Sequence, residues 1–235
     1  MILTAHQPVY LPWLGLFHKI ALAELFCYFD IVQYQKRDFN NRNKIKTSAG
    51  EMWLTVPVES KDHLEKNVST IRIVQDGWIK KHLRAIELNY RKAPYFDKYY
   101  DPFAAKLRSS STTDLGTLNL ELLKYFLAEL GIATPIVLAS DYDFKGDKSD
   151  LVLSMCEVLG ATGYIFGNNG LDYADKLAFQ RSGVDLQFQS YNHPEYRQLN
   201  GTFLPYMSTL DLLFNEGEMS LEMILTDNVT SFTPL

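Results

Sequence analysis

The sequence predicts an α/β fold, a mostly parallel Rossmann-like sheet flanked by helices, with a helical subdomain in the middle of the chain. Three observations predict it. The chain opens on a strand-helix-strand pattern, β/α alternation resumes after Pro135, and the stretch 78–130 between them carries helical periodicity almost throughout. A length of 235 residues suits one α/β domain over 1–235, with 78–130 as a helical insertion within it.

The first strand is the apolar run from Ile2 to Thr4. Pro12 can sit in the first turn of a helix, and Trp13, Leu14, Phe17, Ile20 and Ala21 then share one face. Leu25 to Phe29 is nearly continuously apolar, as expected of a strand covered on both faces in a parallel sheet. DIVQYQKRDFNNRNKIK follows as a basic loop, then a strand from Trp53 to Val58 with Pro57 near its end, and a short β segment from Ile71 to Val74. Ile79, Leu83, Ile86 and Tyr90 predict a helix from Trp78 to about Arg91, ended by Pro94. The aromatic run PYFDKYYDPFAAKL predicts a helix broken or restarted at Pro102. Ser109 to Thr113 is a polar connector, and Thr113 or Asp114 can cap a helix through Leu118, Leu122, Phe126 and Leu130, with Gly131 as its C-cap.

PIVLAS then reads as a strand, Ser149 as the cap of a helix to Leu159 ended by Gly160, and GYIFG as another strand. Gly167, Asn168, Asn169 and Gly170 follow at a strand-helix junction. A helix containing Tyr173, Leu177 and Phe179 comes next, and Val184, Leu186 and Phe188 alternate with polar residues as in a half-exposed strand. Ser208 and Asp211 have the spacing of a capping-box variant opening a helix that stops near Gly217.

A net charge of -5 argues against general nucleic-acid binding, so the cations near Lys36 stand out against an acidic background. Cys27 and Cys156 each lie in apolar segments and read as buried thiols. The amino terminus has no basic segment followed by an apolar core, and no apolar run reaches membrane-spanning length. The expectation is a soluble cytoplasmic protein without membrane insertion. The five histidines show no paired zinc-ligand spacing, so no metal is expected and no cofactor is specified.

Two adjacent parallel strands place His6 and Gln7 at the carboxyl end of the first, with Asp30 and Gln33 at that of the second. Ligands of open α/β sheets bind at that edge. His6 is the candidate acid/base, because imidazole changes charge near neutral pH. Gln7, Tyr10 and Gln33 offer groups that read hydroxyls or amides. Lys36, Arg37, Arg42 and Lys44, interleaved with Gln35 and Asn41, suit a phosphate or carboxylate, while Lys46 is expected to face water. Asn168 and Asn169 lie where a glycine turn lets backbone amides approach an anion. Tyr196, Gln198, Ser208 and Asp211 are candidates for the far wall of the same cleft, with capping the favoured role for the last two.

Read in order, AHQPVYLPWLG, VQYQKRDFNNRNKIKT, WLTVPV, NYRKAPYF, GNNGLDY and FLPYMSTLDLLFNEG closely resemble the WbqC-like family from Ile2 to about Gly217. That bacterial family is often encoded beside genes for O-antigen and other surface-polysaccharide synthesis. The resemblance implies work on an activated or amino sugar or on a group attached to one, and together with the strand-end residues and the basic loop it gives the expectation of a transferase or ligase-like enzyme binding a phosphate-bearing small molecule or nucleotide sugar. The alternative is a non-catalytic protein that binds a sugar intermediate or partner enzymes of polysaccharide synthesis through the aromatic helical region. At fold level the opening also resembles the HIGH-superfamily nucleotidyltransferases. The chain has His6 but no second histidine at their spacing, and LPYMSTLD lacks the lysines of their late signature.

Overall fold

A computed structural model describes residues 1–59, 61 and 65–234. Five strands form one parallel sheet: β1 (Ile2–His6), β2 (Leu25–Tyr28), β5 (Ile136–Leu138), β6 (Gly163–Phe166) and β7 (Asp185–Phe188), in the order β5-β2-β1-β6-β7. The expected α/β architecture is present. Apolar side chains alternate across it: Phe26 and Tyr28 pack toward one core, Leu3 and Cys27 toward the other, which is how a sheet covered on both faces buries a continuous apolar run. Both cysteines are free and buried.

The first core includes Leu14, Phe17 and Ile20 of α1 (Leu14–Ala21), and the second Met155 and Cys156 of α5 (Lys148–Leu159). The chain steps from β1 to β2 and β5 on one side, then crosses back to β6 and β7 on the other. Strand order therefore reverses between β1 and β6, which the sequence pattern had left open.

Helices α2 (Trp78–Tyr90), α3 (Phe96–Ser109) and α4 (Leu115–Leu130) fill the 78–130 stretch, and Gly131 takes the left-handed conformation at the end of α4, with φ +70°. The break expected at Pro102 does not occur. Pro102 lies on the exposed side of α3, where water can solvate the carbonyl it cannot bond, while Phe96, Tyr99, Phe103 and Leu107 are buried and hold the axis. The aromatic run is therefore mainly core.

The basic loop is in part a β-hairpin. β3 (Arg42–Thr47) pairs antiparallel with β4 (Gly50–Thr55), so the strand expected from Trp53 begins and ends three residues earlier. Gly50, at φ +109°, permits the tight turn after Ser48 and Ala49. Ile71–Val74 forms only isolated bridges through Arg72 and Ile73. Pro12 precedes α1 instead of entering it, because its carbonyl accepts from both the backbone and the hydroxyl of Thr209, and Trp13 is the N-cap. Ser149 is likewise not the cap of α5. Asp147 holds that position, and the Ser149 hydroxyl accepts from the Asp175 amide.

Helix α6 is Lys176–Arg181, with Tyr173 before it. Ser208 caps α7 (Thr209–Glu216) by accepting from the Leu210 amide, as its spacing implies. Asp211 does something else. It is fully buried, and its carboxylate accepts from Tyr90 at 2.8 Å, Tyr196 at 2.8 Å and Gln198 at 2.7 Å. Lys46 does not face water either: it is 2 % exposed, and its ammonium donates to the Thr202 carbonyl. The Tyr90 hydroxyl also accepts from the Lys46 amide, so one side chain joins α2, β3 and α7. A short final helix, α8 (Ser220–Leu225), packs near α1 and α7.

Tyr90→Phe removes a hydrogen bond to a buried carboxylate and leaves the Lys46 amide without an acceptor. It should lower stability by about 2 kcal/mol in urea unfolding, whereas Tyr95→Phe, at an exposed ring, should change it little.

Candidate functional site

A cleft of about 850 Å³ opens at the carboxyl ends of β1 and β6, at the point where strand order reverses. His6 and Gln7 reach it from the end of β1. Gly167, Asn168 and Asn169 reach it from the end of β6. Lys19 and Lys148 are its only charged lining residues, and no carboxylate lines it among the described residues.

The local sequence explains this assembly. Helix α1 is buried from Leu14 through Ile20, so Lys19 is carried inside with its apolar neighbours and is only 4 % exposed. Its ammonium donates to the Ala5 carbonyl at 2.9 Å and has no carboxylate partner among the described residues. Burial pushes its pKa down to about 8. Gly15 has no room for a Cβ, which would stand 2.2 Å from the Trp13 ring. The indole therefore lies across the first turn of α1 and meets Tyr191 and Tyr206 at ring-centroid distances of 5.6 and 5.9 Å. Gly170 is tied similarly, because a Cβ there would stand 2.6 Å from the Phe166 side chain.

The partly buried imidazole of His6 has Nδ1 2.8 Å from the Gln7 carbonyl, which fixes Nδ1 as the protonated nitrogen and leaves a lone pair on Nε2. Burial first, then the charge of Lys19, pushes its pKa down to about 4 against the opposing effects of the Gln7 carbonyl and Asp38. His6 is thus a neutral hydrogen-bond acceptor at neutral pH. Gln7 donates to Asp38 at 3.1 Å, linking the cleft to the 35–38 turn. Gln189, from the end of β7, donates to the Gly15 carbonyl at 2.7 Å and lies 2.8 Å from Nδ1 of His18, fixing the wall between β7 and α1. The side chains of Asn168 and Asn169 are exposed at the rim and have no hydrogen-bond partner among the described residues.

Of the residues singled out from sequence, the structure brings His6, Gln7, Asn168 and Asn169 together in this cleft. Tyr10 is fully buried, its hydroxyl 2.8 Å from His82. Asn41 is buried and donates to the Val56 carbonyl. Gln33, Gln35, Lys36 and Arg37 are exposed, with Gln33 bridged to Asn67. Arg42 stacks over Trp53 at 4.2 Å and donates to the Arg37 carbonyl, and Lys44 pairs with Glu51 at 2.7 Å. The cationic run therefore lies outside the cleft lining. Tyr196, Gln198, Ser208 and Asp211 also lie outside it, in the packing around α7.

Sequence reasoning missed Lys19, Lys148, Trp13, Gln189, Tyr191 and Tyr206. Lys19 had a signal. LGLFHKIA is apolar nearly all round, a helix of that kind is buried, and its one lysine must be buried with it. Lys148 had none, since its place depends on α5 crossing to the far side of β1.

Among the described residues no group of three or more His, Cys, Asp or Glu is placed to hold a metal ion, and no helix is long and apolar enough to cross a membrane. A family model described as the WbqC-like protein family matches residues 7–223. An uncharacterized protein of Mycobacterium tuberculosis, Rv1507c, is 37% identical over 212 residues, covering 90% of this chain and 92% of that protein. No solved structure matches.

His82, like His6, is held down to about 4, mainly by burial. An unfolded histidine titrates near 6.5, so between these values the unfolded chain binds protons that the folded one does not. The stability contributed by the neutral imidazoles is complete above about pH 6.5 and is lost as pH falls through about 4. Urea unfolding should show roughly 1 to 2 kcal/mol lost per histidine between about pH 7 and 5. His82→Gln should make that loss shallower.

Proposed function

The chain belongs to the WbqC-like protein family, and from that premise we propose that it is a transferase or ligase-like enzyme of bacterial surface-polysaccharide (O-antigen) biosynthesis. Its donor is a phosphate-bearing molecule or nucleotide sugar bound in the cleft between β1 and β6. The observation that carries this reading is Lys19, a buried ammonium satisfied by one backbone carbonyl in a cleft that no carboxylate lines among the described residues. Burying an unpaired cation costs several kcal/mol, and an anionic ligand offsets that cost. In a chain of net charge -5, a cleft lined by two lysines and, among the described residues, no acid favours anions.

In this reading Lys19 and Lys148 hold the phosphate oxygens, Asn168 and Asn169 supply uncharged donors at the rim, and Trp13, Tyr191 and Tyr206 offer ring faces to the rest of the donor. His6 accepts a hydrogen bond through Nε2. Burial, the larger cause of the depressed His6 pKa, persists when the donor is bound, but an anion beside Lys19 offsets the lysine charge that adds to it and so favours His6 as a base. Gln7 orients the reacting group. Rate enhancement then comes from positioning and fixed charge.

Thermal denaturation with sulfate and with nucleoside diphosphates tests this. A ligand present at about a hundred times its dissociation constant adds about 2.7 kcal/mol, which raises the Tm of a protein this size by roughly 5 to 10 °C. Lys19→Met should abolish the shift, and Arg42→Ala should keep it. With sulfate, whose charge does not change, the shift should be constant below about pH 8 and fall above it as Lys19 loses its proton. The absence of any anion-dependent shift, or its loss in Arg42→Ala and survival in Lys19→Met, would refute the assignment.

A further inference from the structure

The cleft passes over the carboxyl edge of the sheet, and its two sides differ in kind. On the α1 side stand Lys19, Gln189 and the rings of Trp13, Tyr191 and Tyr206. On the other side the lining comes from Phe29 just beyond β2, from Leu151, Val152 and Met155 of α5, and from Tyr164 and Phe166 of β6. All of these except Leu151 belong to the second core or pack against it, so this limb lies on the opposite face of the sheet from α1.

The limb leaves apolar surface uncovered where the helix period calls for burial. Val152 lies three and four residues before Met155 and Cys156, on the face of α5 that enters the core, and Leu151 lies four before Met155. Met155 and Cys156 are buried, yet Leu151 and Val152 are only partly so, as is Phe29 opposite them. The space beside them is the cleft, not another side chain. Its floor is firm, because the buried Phe166 ring meets Tyr164 at 4.6 Å and Phe179 at 5.7 Å between centroids.

Polar groups are few on this side. Below the Asn168 and Asn169 rim, the polar side-chain atoms among the described residues are the hydroxyls of Tyr164 and Tyr173 and the ammonium of Lys148. Lys148 opens α5, is exposed, and makes neither an ion pair nor a side-chain hydrogen bond among the described residues. A heterocyclic base or a polyhydroxylated ring placed against Phe29 and Val152 would lose water from more polar atoms than this wall can satisfy. An alkyl chain has no such atoms and gains from each methylene it buries.

We propose that this limb takes a short apolar chain, so that the ligand of the cleft is an amphiphilic anion: an alkyl or acyl chain against α5, joined to a phosphate held by the cleft's lysines. The chain site stands on the apolar lining alone, whereas the anionic head rests on the phosphate reading above.

The test is ligand-detected NMR on the full chain with methyl, butyl and hexyl phosphate, with 1-hexanol and sulfate in parallel, all kept below micelle-forming concentrations. A fully buried methylene tightens binding about fourfold, so butyl phosphate should bind at least about tenfold more tightly than methyl phosphate. Val152→Trp, which fills the limb from a partly exposed position, should remove the gain from chain length and leave sulfate binding as it was. Leu151→Asn should shrink the gain, and cooperative thermal unfolding checks that each variant is folded. Loss of the gain in either folded variant supports the proposal. Equal binding of the three phosphates, or a gain that survives both variants, overturns it. If sulfate binds but the series is flat, the chain site fails and the phosphate reading stands. If 1-hexanol binds in a manner sensitive to Val152→Trp while sulfate does not bind, the phosphate reading fails and the chain site stands.

Discussion

The ammonium of Lys19 sits under the end of the central strand, 2.9 Å from the Ala5 carbonyl, and much of the surrounding structure is arranged to keep it there. Helix α1 is buried over Leu14–Ile20, so the lysine cannot swing out to water without unpacking Phe17 and Ile20. β1 is bonded in parallel on both edges, and the fully buried Thr4 hydroxyl donates to the Ile165 carbonyl at 2.8 Å. A cation fixed in that position disfavours charge on its neighbour His6, and in the proposed reading it is what an anionic ligand would meet. The reversal of strand order between β1 and β6 supplies the crevice in which such an anion can reach it.

A second constraint fixes the opposite wall. Three donors from α2 and from the segment before α7 converge on the Asp211 carboxylate, whose pKa burial raises against the effect of those bonds. Lys46 lies close enough to favour its charge and is anchored to the Thr202 carbonyl. These bonds tie residues 196–206, which contain no helix or strand, to the helical layer. Tyr206, at φ +61°, is then held against the cleft it lines. The polar network is thus structural support for the cleft, at one remove from any ligand.

The parallel sheet was legible because its strands are short apolar runs separated by periodic helices, and the helices after Trp78 and Leu115 were legible from their apolar spacing. His6 and Gln7 were legible as residues just beyond a strand, and Asn168 and Asn169 for the same reason. Strand order was not, because nothing local to β5 or α5 states that the chain crosses to the far side of β1. The cationic run drew attention because amide side chains such as Gln35 and Asn41 interleave with its charges, although β-pairing and local partners such as Trp53 and Glu51 absorb part of it. Asp211 had the spacing of a cap residue, but burial beside two tyrosines decided its role. The family resemblance is now supported over residues 7–223, and the chemistry is a matter for the cleft.

The direct test is the ionisation of Lys19 itself, followed by heteronuclear NMR of its side chain with and without sulfate. The account predicts a pKa near 8, well below the usual 10.5, in the free protein, and a rise when sulfate is added. A value at the usual 10.5, unmoved by sulfate, would contradict it.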